Sequence, residues 1–359
     1  MNPPPSTDTP GTTPTPSTLS RADAAVQPLR VVAIGGGTGL STLLRGLRRH
    51  VTPAGQPSSQ LGQISDLAAV VTVTDDGGSS GRLRQDFNML PPGDLRNCMV
   101  ALSAEEDMLS RLFNHRFRAG DGLKGHNFGN LFVAALTEIT GDFAQAIQLA
   151  SKILNTRGRI YPVTTANTTL VAHMDDGSIV RGETNITASH CRIVELMLDP
   201  PDPAPLPETL EAIERADLIT VGPGSLYTSL ITNLLVEGIP EALAHARGLR
   251  VYVCNLMTQA NESLGLSAAD HIERIYNHTH APIFDCALVN TAPFSAETLA
   301  RYAAEGASPI VADVERIEAL GVRCIAGDFA SEEALVRHNP AFVTGALLAL
   351  GQAAAAARA

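Results

Sequence analysis

The stretch that decides the fold is LRVVAIGGGTGLSTLLRGL, residues 29–47. An apolar run that predicts a buried strand leads into a glycine-rich turn, and an amphipathic helix follows directly. Consecutive glycines let the backbone approach a ligand closely, and the first turn of a helix offers unpaired N–H groups to an anion. This order predicts a loop that binds a phosphate or nucleotide, formed by Gly35, Gly36, Gly37, Thr38 and Gly39. A tight turn without a ligand is the alternative.

The spacing of the glycines excludes two familiar nucleotide loops. Counted from Gly35 the sixth residue is Leu40, and counted from Gly37 it is Thr42, so the dinucleotide fingerprint GxGxxG is absent. The turn also lacks the Gly-Lys-Ser/Thr ending of a P-loop. An NAD-binding protein, which the strand–turn–helix order would otherwise suggest, is therefore disfavoured.

The rest of the chain repeats the strand–helix order. LAAVVTVT predicts a second strand, and after Pro207 helices alternate with the apolar runs ADLITVG, LRVYVCN and IFDCALVN, and more weakly with ASPIVAD and VRCIAGD. Such alternation implies parallel βαβ units. A mostly helical stretch at about 94–157 and short alternating runs at about 158–200, with a hairpin signal at Asp175-Asp176-Gly177, interrupt it. We expect one α/β domain over residues 30–350, with a doubly wound, mostly parallel sheet and helical and small antiparallel insertions.

Both ends of the chain fall outside this predicted domain. Residues 1–29 are rich in Pro, Thr and Ser and lack the basic start and apolar core of a signal peptide, so they predict a disordered tail. Residues 351–359 are an Ala-rich end of a C-terminal helix. Because no run of eighteen uninterrupted apolar residues occurs, we expect no membrane span.

Charge and cysteine content narrow the function further. The formal net charge of −11 disfavours a nucleic-acid binder, whose affinity comes from many Lys and Arg contacts to phosphates. The 5 cysteines are far apart and form no CxxC pair, which argues against disulfides and structural zinc and favours a cytoplasmic location. His271, His278 and His280 have no metal-ligand spacing and are interpreted as part of a solvated face.

A second glycine loop follows the run ADLITV. In doubly wound sheets, ligands bind outside the carboxyl ends of the strands, at the point where the strand order reverses. A second loop of this kind suits that position, and we expect Gly222, Gly224 and Ser225 to join the first loop in one site.

The stretch VTVTDDGGSSGRLR, residues 71–84, places Asp75 and Asp76 at the end of the second strand. A carboxylate about 4 Å from a phosphate charge repels it by roughly 4 kcal/mol at an effective dielectric constant near 20. The acids should therefore face ligand hydroxyls or hold a divalent cation, with Mg²⁺ the candidate and no other cofactor expected. The anion would then contact the residues that follow: Gly77, Gly78, Ser79, Ser80, Arg82 and Arg84.

Two other interpretations of this stretch stay open. Residues 77–81 fit GxSxG formally, but a hydrolase nucleophile elbow needs a placed histidine and acid that the sequence does not offer. In a purely structural role, Asp75 would cap the turn and Asp76 would pair with Arg82.

Two polar motifs in the helical stretch are candidates to close the same pocket. PPGDLRNC supplies Asp94, Arg96 and Asn97, and GHNFGNLF supplies His126 and Asn130. The structural alternatives are a helix N-cap for Asp94 and a capping or packing role for His126.

Together with GPGSLYTSLITNLL, CNLMTQ, ADHI and VRHNP, these motifs resemble the YvcK-type branch of the CofD-like family, labelled gluconeogenesis factors, from about Val31 to Gly345. The resemblance implies a Rossmann-like sheet in a cytoplasmic protein that binds UDP-sugars such as UDP-N-acetylglucosamine. It implies a regulator needed for cell shape and for growth on gluconeogenic carbon sources, acting through an unidentified protein partner in cell-wall regulation. The oligomeric state, including a homo-oligomer, stays open.

The sister branch of that family is a magnesium-dependent 2-phospho-lactate transferase, which implies a phosphoester transferase as the alternative function. Asp75 and Asp76 fall in the stretch that resembles its acidic metal and substrate region. Tyr302 in ARYAAEG and Arg337 in LVRHNP resemble positions tied to UDP-sugar binding. Otherwise Arg337 would pair with Glu332 or Glu333 on a helix face. The chain departs from the family pattern at residues 261–263, where Asn-Glu-Ser stands in place of Gly-Glu-Thr.

Overall fold

A computed structural model describes residues 27–52, 62–104, 108–260 and 262–358. Most of the predicted tail, residues 1–26, therefore lies outside the described residues. The described ranges contain twelve strands: β1 (Leu29–Gly35), β2 (Ile64–Val71), β3 (Arg159–Pro162), β4 (Thr169–Met174), β5 (Ile179–Arg181), β6 (Ile193–Asp199), β7 (Leu218–Val221), β8 (Leu249–Val253), β9 (Cys286–Asn290), β10 (Arg323–Gly327), β11 (Ala330–Glu332) and β12 (Val336–His338).

Helices separate most of these strands. They are α1 (Gly37–Leu47), α2 (Gly78–Phe87), α3 (Gly93–Leu102), α4 (Met108–Asn114), α5 (Phe128–Thr140), α6 (Phe143–Ile153), α7 (Glu183–Ala188), α8 (Pro207–Arg215), α9 (Thr232–Leu234), α10 (Ile239–His245), α11 (Ala268–Thr279), α12 (Ala296–Ala303), α13 (Val314–Ala319) and α14 (Pro340–Arg358). A short 3₁₀ helix, Arg48–His50, follows α1, and a π-helix, Leu226–Ile231, precedes α9.

The central sheet has 7 strands in the order β10-β9-β8-β7-β1-β2-β3, and every neighbouring pair is parallel. Its middle strands are apolar and buried along nearly their whole length, as expected of strands with helices on both faces. Helix α1 covers one face with Leu40, Leu43, Leu44 and Leu47, all buried. The predicted α/β fold with a doubly wound, mostly parallel sheet is confirmed.

The strand order reverses between β1 and β7. From β1 the chain moves outward through β2 to β3, whereas the later strands move the opposite way from β7 to β10. Connections therefore leave β1 and β7 in opposite directions, and a crevice opens at their carboxyl ends. Both glycine loops of the sequence lie at this crevice.

Two insertions interrupt the sheet. Helices α3 to α6 lie between β2 and β3 in the chain, where a helical insertion was expected. The segment RIYP, which the sequence placed in the antiparallel insertion, instead forms β3 and pairs in parallel with β2, with Arg159 opposite Ala68. The antiparallel insertion begins at Thr169 and has the order β5-β4-β6, with the predicted hairpin joining β4 and β5.

Some local expectations were wrong. ASPIVAD forms no strand and contributes only an isolated bridge between Pro309 and Met257. His271 is not part of a solvated face, because it is fully buried and lies 2.9 Å from the hydroxyl of Tyr252. Arg337 lies on β12 of the hairpin β11–β12, not on a helix.

Helix α14 alone among the described helices is long and apolar enough to cross a membrane by length and composition. In the structure it packs on the domain. Val343, Leu347 and Leu348 are buried in the core, and Gly351 lies against Leu29 and Leu218. One side of α14 therefore packs against the domain, while 28% of its apolar window is buried.

Candidate functional site

A cleft of about 350 Å³ opens at the carboxyl ends of β1, β7 and β8. Its walls come from five parts of the chain that are separated in sequence. The lining residues are Gly36–Gly39, Thr42, Pro223–Ser225, Ser229, Asn255–Gln259, Tyr302 and Val336–His338. The cleft thus brings together both predicted glycine loops and the two residues, Tyr302 and Arg337, that the resemblance implied.

The two glycine loops touch each other at the base of the cleft. A Cβ atom at Gly39 would lie 2.8 Å from the carbonyl carbon of Pro223 and closer still to its oxygen. Gly222 has φ of +88°, a conformation that favours glycine because it lacks a Cβ atom. Close approach of the two backbones therefore depends on glycine at both positions.

The amino end of α1 faces this cleft. The N–H of Gly37 donates to Asp94 Oδ2 at 2.8 Å, whereas the N–H groups of Thr38 and Gly39 have no acceptor within the described ranges. Burial raises the pKa of Asp94 to about 6, although its hydrogen bonds from Gly37 and Asn97 favour the charged form. Asp94 thus binds the first glycine loop at Gly37, while the N–H groups of Thr38 and Gly39 remain for a ligand.

The second loop is held by residues that follow β8. The N–H of Gly224 donates to Asn255 Oδ1 at 3.2 Å, and Gln259 Nε2 donates to Ser225 Oγ at 3.0 Å. Sequence reasoning assigned no role to Asn255 or Gln259. Their position directly after a parallel strand that neighbours β7 is the signal that could have found them.

The hairpin β11–β12 forms another part of the wall, and its strand β12 packs next to α1. Tyr302 Oη accepts a hydrogen bond of 2.9 Å from the N–H of Val336, and Glu332 accepts hydrogen bonds from the N–H and Oγ of Ser295 at the start of α12. The guanidinium of Arg301 lies over the Tyr302 ring, 5.6 Å from its centroid. These contacts fix the hairpin on α12, so Tyr302 supports the wall as well as lining it.

Arg337 extends from this wall with its charge available. Its side chain is exposed, lines the cleft, and forms neither a hydrogen bond nor an ion pair with any residue the structure describes. The alternative, a pairing with Glu332 or Glu333 on a helix face, is wrong, because both acids lie in the hairpin and Glu332 binds Ser295 instead. A free guanidinium at this place is a donor for an anionic ligand.

Acidic residues lie at the side of the crevice that follows the carboxyl end of β2. Asp75 Oδ1 accepts from the N–H of Gly77 at 2.9 Å, and Asp76 Oδ1 accepts from the N–H and Oγ1 of Thr184 at 2.9 and 2.6 Å. Asp75 therefore caps the turn, as the structural interpretation predicted. Asp76 binds Thr184 of the antiparallel insertion and does not form the pair with Arg82 that the same interpretation predicted.

Glu183 was not predicted and lies at the centre of this acidic group. Burial first, and then the nearby charges of Asp75, Asp94, Asp76 and Glu262, together raise its pKa to about 9. Glu183 follows the positive-φ Gly182, which packs against Asp76. Because it comes from a distant insertion, no local sequence signal linked it to the Asp-Asp pair.

The remaining predicted side chains form a buried network between α2 and α5. Ser79 Oγ lies 3.1 Å from His126 Nδ1, and Asn130 Nδ2 donates to Ser80 Oγ at 3.4 Å. Arg96 donates to Asn130 Oδ1 at 3.2 Å and is itself buried. Burial lowers the pKa of His126. The two serine hydroxyls thus have partners within the protein and do not line the cleft.

Arg82 and Arg84 also turn away from the cleft. Arg82 donates to the carbonyl of Lys124 at 3.1 Å, and Arg84 donates to Asn167 Oδ1 at 2.7 Å. Both guanidinium groups tie α2 to neighbouring segments, and the cleft-lining cation is Arg337.

The sequence profile described as 2-phospho-L-lactate transferase CofD matches residues 31–330, most of the chain and all of the sheet. The chain belongs to the CofD family. Its relatives include proteins named gluconeogenesis factor from Halalkalibacterium halodurans, 47% identical over 89% of this chain and 95% of the relative, and from Bacillus subtilis, 42% identical over 89% and 98%.

A solved structure has the same fold. The crystal structure of a protein from Bacillus halodurans superposes on this CofD-family chain with a TM-score of 0.84 at 46% identity, covering 90% of this chain and 100% of the other. The shared architecture includes the sheet that positions both glycine loops.

Proposed function

We propose that this CofD-family protein binds a nucleotide-sugar of the UDP-N-acetylglucosamine type in the cleft, and that it acts as a regulator. The observation that carries the proposal is the convergence of two glycine loops and a free arginine at the reversal of strand order. Such a crevice is where doubly wound sheets bind nucleotides. The names of its relatives support a role in growth on gluconeogenic carbon sources.

The chemistry of the walls suggests how a diphosphate would lie. The N–H groups of Thr38 and Gly39, together with the positive end of α1, suit phosphate oxygens. Arg337 reaches the cleft from β12 and suits bidentate contact with a diphosphate. Leu256, Met257, Val336 and Tyr302 offer a more apolar surface for the base.

Mg²⁺ fits the acidic side of the crevice as a cation shared with phosphates. Asp75 keeps Oδ2 free of hydrogen bonds from described residues, and crowding with Asp94 and Glu183 disfavours several charged carboxylates without a cation. The described residues offer no cluster of three metal-ligating side chains. Mg²⁺ commonly takes only one or two protein carboxylates beside phosphate and water. Asp75, with Asp76 behind it, would hold the ion, which would neutralise phosphate charge.

The alternative function is a magnesium-dependent phosphoester transferase. The specific observation in its favour is the acidic group beside the cleft, together with the family description of a transferase. A binding protein needs no such crowding of carboxylates, whereas phosphoryl chemistry uses metal-held phosphates. We further propose a cytoplasmic location and a protein partner that conveys the bound state to cell-wall synthesis and cell shape.

Thermal unfolding with a ligand panel tests the proposal. At a hundredfold excess over Kd, a ligand specific for the folded state adds about 2.7 kcal/mol. UDP-N-acetylglucosamine should therefore raise the melting temperature by several degrees, and NAD should raise it less. Hydrolysis or transfer products appearing during the same incubation would favour the transferase. No shift with any uridine nucleotide, with or without Mg²⁺, would refute nucleotide-sugar binding.

A further inference from the structure

His338 lines the cleft beside Arg337, and its ring is held in one chemical form. Its Nε2 lies 3.0 Å from the carbonyl oxygen of Cys254, directly after β8. A carbonyl oxygen can only accept a hydrogen bond, so Nε2 carries the proton and Nδ1 keeps a lone pair. Burial lowers the pKa of His338 to about 4, and the ring is therefore neutral at neutral pH.

The lone pair of Nδ1 is available to a ligand. No described residue forms a hydrogen bond with Nδ1, yet this atom is not one of the buried polar atoms that lack a partner. It is therefore reachable from outside the protein. His338 borders the cleft and its Nε2 is taken by the carbonyl of Cys254, so Nδ1 is the ring nitrogen left for a ligand there.

The fixed acceptor at Nδ1 determines which ligand atoms can lie next to it. Phosphate oxygens also carry lone pairs and would be repelled, whereas an N–H donor would be bound. The same cleft is lined by Leu256, Met257, Val336 and Tyr302, which suit a flat base better than a hydroxylated sugar. The donors that suit phosphate are the backbone N–H groups at the amino end of α1.

We propose that His338 recognises the base of the bound nucleotide, with Nδ1 accepting a hydrogen bond from an imide N–H such as N3–H of uracil. This inference rests on the proposed function, because it needs a nucleotide in the cleft. Cytosine presents a lone pair at N3 and would face the lone pair of Nδ1, so cytidine nucleotides would bind more weakly than uridine nucleotides.

Isothermal titration with UDP, N3-methyl-UDP and CDP tests this assignment. Wild-type protein should bind UDP about three- to tenfold more tightly than either analogue, as expected for one neutral hydrogen bond. In His338→Phe, an aromatic ring is kept but it has neither the donor to Cys254 nor the Nδ1 acceptor. This variant should lose UDP affinity by a similar factor and bind UDP and N3-methyl-UDP equally. His245→Gln, an exposed histidine on α10 outside the cleft, should keep the wild-type preference.

A purely structural role for His338 would weaken the binding of UDP and of N3-methyl-UDP by the same factor in His338→Phe and leave the preference unchanged. That result would overturn the inference, and so would equal affinity of the wild-type protein for UDP and N3-methyl-UDP. The wild-type comparison does not depend on the folding of any variant. In both cases UDP still binds, and the proposed function stands. Absence of UDP binding by the wild type would instead refute the proposed function and this inference with it.

Discussion

Replacing Glu183 with glutamine should stabilise the ligand-free protein and change how its stability depends on pH. The pKa of Glu183 is raised from its ordinary value of 4.5 to about 9 by burial and by the charges of Asp75, Asp94, Asp76 and Glu262. Between these two values the folded state holds a proton that the unfolded state has released. Folding therefore takes up a proton, and the stability contributed by this group falls as pH rises from 4.5 to 9.

The magnitude at pH 7.5 follows from the distance to the unfolded pKa. The unfolded pKa of 4.5 lies three pH units below pH 7.5. At about 1.36 kcal/mol per unit, Glu183 lowers the free energy of unfolding at pH 7.5 by an amount on the order of 4 kcal/mol, and Glu183→Gln removes this loss. At pH 4.5 the variant and the wild type should differ little. The free energy of unfolding, measured in urea at pH 5, 6.5 and 7.5, should show a steeper decline for the wild type.

Glu305→Gln is the matched control, because Glu305 is exposed and lies outside the acidic group. It should leave both the stability and its pH dependence unchanged. Equal pH slopes for the wild type and Glu183→Gln would refute the assignment of a buried, proton-holding carboxyl group at residue 183.

Three further outcomes are expected. Arg337→Ala should weaken UDP-N-acetylglucosamine binding about ten- to a hundredfold in titration. It should leave the melting temperature of the free protein unchanged, since the guanidinium has no partner among the described residues. The control Arg192→Ala, at an exposed arginine outside the cleft, should bind the ligand normally. Asp75→Asn should abolish the Mg²⁺-dependent part of ligand binding, and equal binding with and without chelator in wild type and variant would assign this carboxylate to the turn alone. Gly39→Ala should cost about 1–3 kcal/mol of stability and weaken nucleotide binding, because its Cβ would collide with Pro223; an unchanged unfolding curve would contradict the close contact between the two loops.

The glycine loops show what the sequence could predict. Hydrophobic runs followed by glycines are local signals, and parallel strands bring their carboxyl ends to one edge of the sheet. The loops around Gly36 and Gly224 could therefore be assigned to one crevice without knowing the structure. The resemblance to a known family placed Tyr302 and Arg337 beside them, and the structure brings all four segments to the same cleft.

The sequence could not predict in which direction the side chains point or which residues they bind. Arg82 and Arg84 follow the Asp-Asp pair closely, but their guanidinium groups find carbonyl and amide partners in segments far along the chain. Glu183 joins the acidic group through an insertion more than a hundred residues later, where no periodic pattern marks it. The hairpin of β11 and β12 was missed because its strands are only 3 residues each, too short for an alternation to show.

The cleft joins the beginning and the end of the fold: one wall is built from residues 36–39 and the other from residues 336–338. During synthesis the first wall leaves the ribosome long before the second, and the strands that separate them must already be available. The cleft is therefore complete only when almost the whole chain has emerged from the ribosome. A prematurely terminated chain that ends before β11 would lack Arg337 and His338 entirely, so a nascent or truncated chain would not form the proposed nucleotide site.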